Sequence, residues 1–96
     1  MCGERIGAPR LHQLGVVNRV SAAGGALDEA LALAERLNER APNALASIKE
    51  LLNDAAGATL TQHLASERDH FVRNLHHANG GIGIQAFLTK QKPRYS

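Results

Sequence analysis

Apolar residues recur along this chain every three or four positions, the period of a helix with one buried stripe. One stripe runs through Leu27, Ala30, Leu31, Ala34 and Leu37. A second runs through Leu45, Ile48, Leu52 and Ala55, widened by Ala44 and Leu51, and a third through Leu60, Leu64, Phe71, Leu75 and Ala78. Polar punctuation sets their limits. Asp28 and Glu29 open the first helix and Arg40 closes it, matching the helix dipole, so a helix is predicted over roughly Leu27 to Arg40. Pro42 breaks it and suits the start of the next, which Gly57 ends. "TLTQ" reads as a capping box, with Thr59 as the cap and Gln62 reaching back. The third helix is expected from about Leu60 to His77, stopped by "NGG". A last, two-turn helix then carries Ile84, Ala86, Phe87 and Leu88, and Pro93 prevents its continuation. Ahead of these, Pro9 to Leu14 gives a short helical pattern, and Gly15 suits the left-handed position past its end. "VVNRV" reads as a short extended piece and "SAAGG" as a loop. An all-α assembly follows. The last helix is too short to be stable alone and must dock on something.

Composition sharpens this picture. A chain of 96 residues is one domain at most. Aromatic residues make up 3% of it and Trp is absent, so Leu, Ile, Val and Ala must do the packing, and some apolar faces are expected to meet a partner. A net charge of +2 and a pI near 9.1 are too modest for a dedicated nucleic-acid binder, and no nucleic-acid partner is expected. Cys2 is the single cysteine, which excludes an internal disulfide and suits a reducing, cytoplasmic setting. "MCGERIGAPR" holds no apolar run, so no signal peptide is expected, and no stretch reaches the ~20 apolar residues of a membrane span.

Candidate chemistry is sparse. His63, Glu67, His70 and His77 fall on one face of the third helix, and Glu67 and His70 have the Glu-x-x-His spacing of di-iron bundles. No second copy exists, so the face reads as solvated and no metal ligand is assigned. His76 and His77 point in different directions and read as surface residues. Ser21, Ser47, Ser66 and Ser96 lack the surroundings of an activated nucleophile, and no phosphate loop is present. "GGIG" precedes a helix, where free N–H groups suit an anion, yet its plainer use is to end one helix and begin another. No catalytic residue is assigned. In the tail, "GIGIQAFLTKQKPRYS", Phe87 and Lys90 are three apart and share a helix face. Together they can cover a planar base and neutralise a phosphate. On residue types alone the plainer reading is favoured: a core Phe87 and a solvated Lys90.

The order of these pieces closely resembles the C-terminal third of the enoyl-CoA hydratase/isomerase family, the crotonases. Gly3, Ile6 and Ala8 lead into Gly15, Val16, Val17, Asn18 and Val20, like the family's Gly-x-x-Ile-x-Ala and Gly-Leu-Val-Asn-x-Val. Ala44, Leu45 and Lys49 fit its Ala-Leu-x-x-x-Lys pattern. Gly83, Ile84, Ala86, Phe87, Lys90, Pro93 and Tyr95 stand in register with its closing motif. The likeness spans essentially the whole chain. Ile82 replaces a usual Glu, Gln91 a usual Arg and Leu11 a usual Ala. The first two departures remove charge that in the family helps to fix the tail.

The resemblance implies an all-α, C-terminal helical (trimerisation) domain of about four to five helices, without the family's β/α spiral core. Residues 1–20 would end the junction from that core, residues 27–78 hold three main helices, and residues 83–96 form a lid helix and basic tail. It implies that Phe87 and Lys90 bind the adenine and phosphate end of coenzyme A carried by a neighbouring subunit, with Lys92 and Arg94 adding a diffuse field at the rim. The ligand would be an acyl-CoA thioester, with coenzyme A part of the substrate and no separate cofactor. Glu4, Glu29, Glu35, Glu39, Glu50 and Glu67 do not match the family's catalytic positions, so the chain alone is expected to be inactive. Met1 would occupy an internal position of a longer parent. The expected partners are copies of itself, in trimer-type contacts or a helix-swapped dimer. The alternative is a non-catalytic helical oligomerisation or interaction module.

Overall fold

Local signals set most of the helix limits. The computed structural model describes residues 2–96, and they form α1 (Ala8–Gln13), α2 (Ala26–Asn38), α3 (Pro42–Ala55), α4 (Leu60–Leu75) and α5 (Ala78–Thr89). Among the described residues there is no strand, so the fold is all-α as the periodicity predicts. Met1, expected at an internal position of a longer parent, lies outside the described residues. The chain divides into a first unit ending at Glu35 and a second, Arg36–Ser96.

In the first unit, Pro9 sits in the opening turn of α1. Gly15 takes φ 76° just past its end. The Val16 N–H donates to Leu11 O at 2.9 Å and the Gly15 N–H to His12 O at 3.0 Å, the paired bonds of a left-handed helix stop. "VVNRV" is not extended, contrary to expectation: it begins in the bends that follow this stop, and no strand among the described residues offers it a ladder. Arg19 Nη1 lies 3.6 Å from Glu29 Oε2 on α2. That helix continues past Glu35 into the residues of the second unit and ends two residues before the expected Arg40, whose N–H donates to Leu37 O at 3.0 Å.

In the second unit, α3 packs on α4 and α4 on α5. Pro42 opens α3 as expected. The capping box is formed: the Gln62 N–H donates to Thr59 Oγ1 at 3.2 Å and the Thr59 N–H to Gln62 Oε1 at 2.9 Å. The prediction for "NGG" is overturned. α4 stops earlier, at Leu75, and Asn79–Gly81 lie inside α5, which runs 12 residues rather than two turns. His77 caps this helix, its Nδ1 accepting from the Asn79 N–H at 3.1 Å. Gly80 is there for space: a Cβ would sit 2.6 Å from Leu75 O and 2.7 Å from Asn74 O. The two helix ends meet backbone to backbone, and the glycine permits the meeting instead of breaking the helix.

The apolar stripes, though helical in period, are only partly covered among the described residues, Ala44, Leu45 and Leu51 being half-buried. Ala86 is the one buried apolar residue among those described, while Leu31, Leu52 and Leu60 are each more than half exposed.

Candidate functional site

The buried positions of the second unit are polar. Ser47 on α3, His70 on α4 and Asn79 on α5 are each at most 9% exposed. Asn79 Nδ2 donates to Asn43 Oδ1 at 2.8 Å, Asn43 Nδ2 to Asn74 Oδ1 at 2.7 Å, and Asn74 Nδ2 to Ser47 Oγ at 2.8 Å and to His70 O at 2.9 Å. Ser47 Oγ lies 2.9 Å from His70 Nδ1, and His70 Nε2 lies 3.5 Å from Glu50 Oε2. Arg73 Nη2 also faces His70 Nδ1, at 3.5 Å. A guanidinium donor there assigns the lone pair to Nδ1, which accepts the Ser47 hydroxyl proton, and the ring proton to Nε2, toward Glu50. Every donor in the chain from Asn79 to His70 then points the same way, and the buried amides are satisfied.

Ser47, His70 and Glu50 thus stand in the order of nucleophile, base and orienting acid, but their setting is structural. The Ser47 hydroxyl is buried and already accepts from Asn74. Ser47 lies inside α3, where backbone N–H groups are committed to carbonyls four residues back. No pair of free donors is left for an oxyanion.

The face expected to carry His63, Glu67, His70 and His77 as a solvated array is divided. His63 Nε2 approaches Glu67 Oε1 at 3.6 Å, its Nδ1 being buried without a hydrogen-bond partner. His70 turns inward against α3, and His77 lies beyond the end of α4 as a cap. Among the described residues no three His, Cys, Asp or Glu side chains gather to hold a metal. Sequence reasoning missed the polar seam. Its one available signal was a pair of polar doublets four apart on consecutive helices, Asn43 with Ser47 and His70 with Asn74.

The tail is ordered by different contacts from those anticipated. Lys90 is the one described non-glycine residue at positive φ, 54°. Its N–H donates to Phe87 O at 3.2 Å and the Gln91 N–H to Ala86 O at 2.9 Å, the bond pair of a Schellman stop. A left-handed lysine costs about 1–2 kcal/mol that a glycine would not. Among the described residues its ammonium has no carboxylate within ion-pairing distance. Phe87 is 82% exposed, so the reading of it as a core residue fails within this chain. Lys92 does not contribute a free charge at the rim: its Nζ donates to Glu39 Oε2 at 2.9 Å. That hydrogen bond, with the ammonium's charge, holds the Glu39 carboxyl below the usual carboxylate range. Tyr95 lies over Gly83, where a Cβ would come within 3.1 Å of its Oη. The Ser96 N–H donates to Asn79 Oδ1 at 3.3 Å, and Asn79 Nδ2 to Ser96 O at 3.0 Å. These contacts fix the tail where Ile82 and Gln91 replace the charges of the family motif.

Residues 1–96 match the family model described as enoyl-CoA hydratase/isomerase. The chain belongs to the enoyl-CoA hydratase/isomerase family. Its helices superpose on an enoyl-CoA hydratase from a Polaromonas species with a TM-score of 0.94 and 68% identity, over 98% of this chain and 37% of that one. A hydratase from Mycobacterium tuberculosis matches with a TM-score of 0.90 and 30% identity, again over 98% and 37%. A carnitinyl-CoA dehydratase of Escherichia coli is 31% identical over 97% of this chain and 37% of its own length. The chain therefore spans a little over a third of the hydratases it matches, and it corresponds to the helical C-terminal domain of the family. No helix among the described residues is long and apolar enough to cross a membrane.

Proposed function

We propose that this chain acts as the C-terminal helical part of an enzyme that hydrates or isomerises acyl-CoA thioesters. Phe87 and Lys90 cover the adenine and phosphate end of coenzyme A, and the exposed stripes meet copies of the same protein in trimer-type contacts. The carrying observation is Lys90: a lysine held left-handed where glycine is cheaper, its ammonium unpaired among the described residues. Strain of this kind persists where the surroundings enforce it, and it clusters at sites that hold ligands. The exposed Phe87 supplies stacking area beside it. The chemistry would be addition of water across an enoyl double bond, or its shift, through a thioester enolate. No side chain of this chain is given a catalytic role, and the chain alone is proposed to be inactive. A reducing cytoplasm suits the exposed Cys2.

The test joins this chain to the catalytic core of the Polaromonas hydratase, whose matching region is 68% identical. Lys90→Ala in that enzyme is expected to raise KM for crotonyl-CoA roughly tenfold with kcat within about twofold. A fall in kcat at unchanged KM would contradict a binding role. The exposed stripes also favour a second reading, a non-catalytic oligomerisation module. Sedimentation separates the two: a stable oligomer with no measurable coenzyme A affinity in the joined enzyme supports the module.

A further inference from the structure

We infer that Asn79 is a positioning residue for Lys90, pinning the far end of a tail that doubles back along α5 and so holding the lysine at its corner. This rests on the proposed ligand role of Lys90. The 12 residues of α5 span about 18 Å, and the seven residues 90–96 reach about 23 Å when extended. A tail that reverses at Lys90 is therefore long enough to regain the start of the helix. It does so: Tyr95 lies over Gly83 and Ser96 bonds Asn79.

The reversal is held from both sides. Near the corner, the Lys90 and Gln91 N–H groups are tied to Phe87 O and Ala86 O. Along the strap, Lys92 is tied to Glu39. At the far end sits Asn79, 2% exposed and the most buried residue described. Its Oδ1 accepts the Ser96 N–H, and its Nδ2 donates to both Ser96 O and Asn43 Oδ1. The tail is thereby joined to the polar seam that locks α3, α4 and α5 together. A left-handed lysine relaxes when its surroundings stop over-determining it. Release of Ser96 removes the farthest constraint. An aspartate at position 79 would not substitute, because it lacks both Nδ2 donations and sets a carboxylate against two acceptor oxygens.

The test uses the joined enzyme and crotonyl-CoA. Asn79→Ala is expected to raise KM roughly fivefold with kcat within about twofold, and to add nothing further in a Lys90→Ala background. Ser96→Pro deletes one tail bond without touching Asn79 and is expected to act in the same direction, by roughly twofold. It carries the test should Asn79→Ala fail to fold. Effects of Asn79→Ala and Lys90→Ala that multiply independently, or a loss confined to kcat, would overturn the inference. Amide hydrogen exchange separates it from the ligand reading. In the full chain, either variant is expected to speed exchange at the Lys90 and Gln91 N–H groups at least about tenfold. Unchanged exchange overturns the positioning role. Faster exchange with KM insensitive to Lys90→Ala leaves the strap standing and sinks the ligand reading instead, and with it the part of this inference that depends on it.

Discussion

Residues 36–96 contain every buried side chain among those described, and three of the four are polar: Ser47, His70 and Asn79 beside Ala86. Up to Glu35 no described residue is buried, although α2 carries as regular an apolar stripe as any helix in the chain. The contrast separates two ways of using a helix. In the second unit, directed hydrogen bonds between side chains 23 to 36 residues apart fix α3, α4 and α5 against one another. Such bonds demand one geometry, because each buried amide left unmet costs about 1–3 kcal/mol. In the first unit Leu27 and Leu31 of that stripe stay more than half exposed, and no such bond between distant side chains is added among its described residues beyond the Arg19–Glu29 ion pair. The second unit also carries the left-handed Lys90.

The sharpest way to break this contrast is Gly80→Ala. Its methyl would press on two backbone carbonyls that cannot move aside, and the expected loss is about 3 kcal/mol, read as a lower urea midpoint by circular dichroism. Gly81, with nothing near its missing Cβ, accepts the same change with a gain of up to about 1 kcal/mol. An equal response at the two glycines would mean that α4 and α5 do not meet as described. Thr59→Ala comes next, removing the capping box of α4 at a cost of about 1 kcal/mol on the same readout. In the first unit, Leu31→Ala is expected to cost less than about 1 kcal/mol, against 2–5 for a buried leucine, because the side chain is already more than half exposed. A larger loss that grows with protein concentration would show the stripe covered by another copy.

The smallest effect is on pH dependence. Lys92 lowers the Glu39 carboxyl below its unfolded value, so the pair stabilises the fold above that unfolded value and its contribution is lost as pH falls through the folded one. Comparing the chain with Lys92→Met by urea titration should show a small stability gap at pH 7 that closes as the pH falls through the lowered Glu39 carboxyl. A gap that persists in acid would assign the tail's hold to Asn79 and Tyr95 alone.

What the amino-acid order determined by itself is whatever is decided within a turn or two of backbone. Thr59 and Gln62 announce their box, Pro42 its helix start, Gly15 its left-handed stop, and the three- and four-residue spacing of leucines the all-α class. The ordered blocks from Gly3 to Tyr95 likewise made the family legible, because many weak signals in one sequence reinforce each other. The use of Gly80 was not legible, since a glycine that ends a helix and one that admits a neighbouring backbone look alike until the neighbour is placed. Nor was the seam from His70 through Ser47, Asn74 and Asn43 to Asn79 and Ser96. A polar residue facing water and one facing another polar residue obey the same local pattern. Only the packing of α3, α4 and α5 decides which it is, because the hydrogen bonds that justify the burial come from residues far away in the chain.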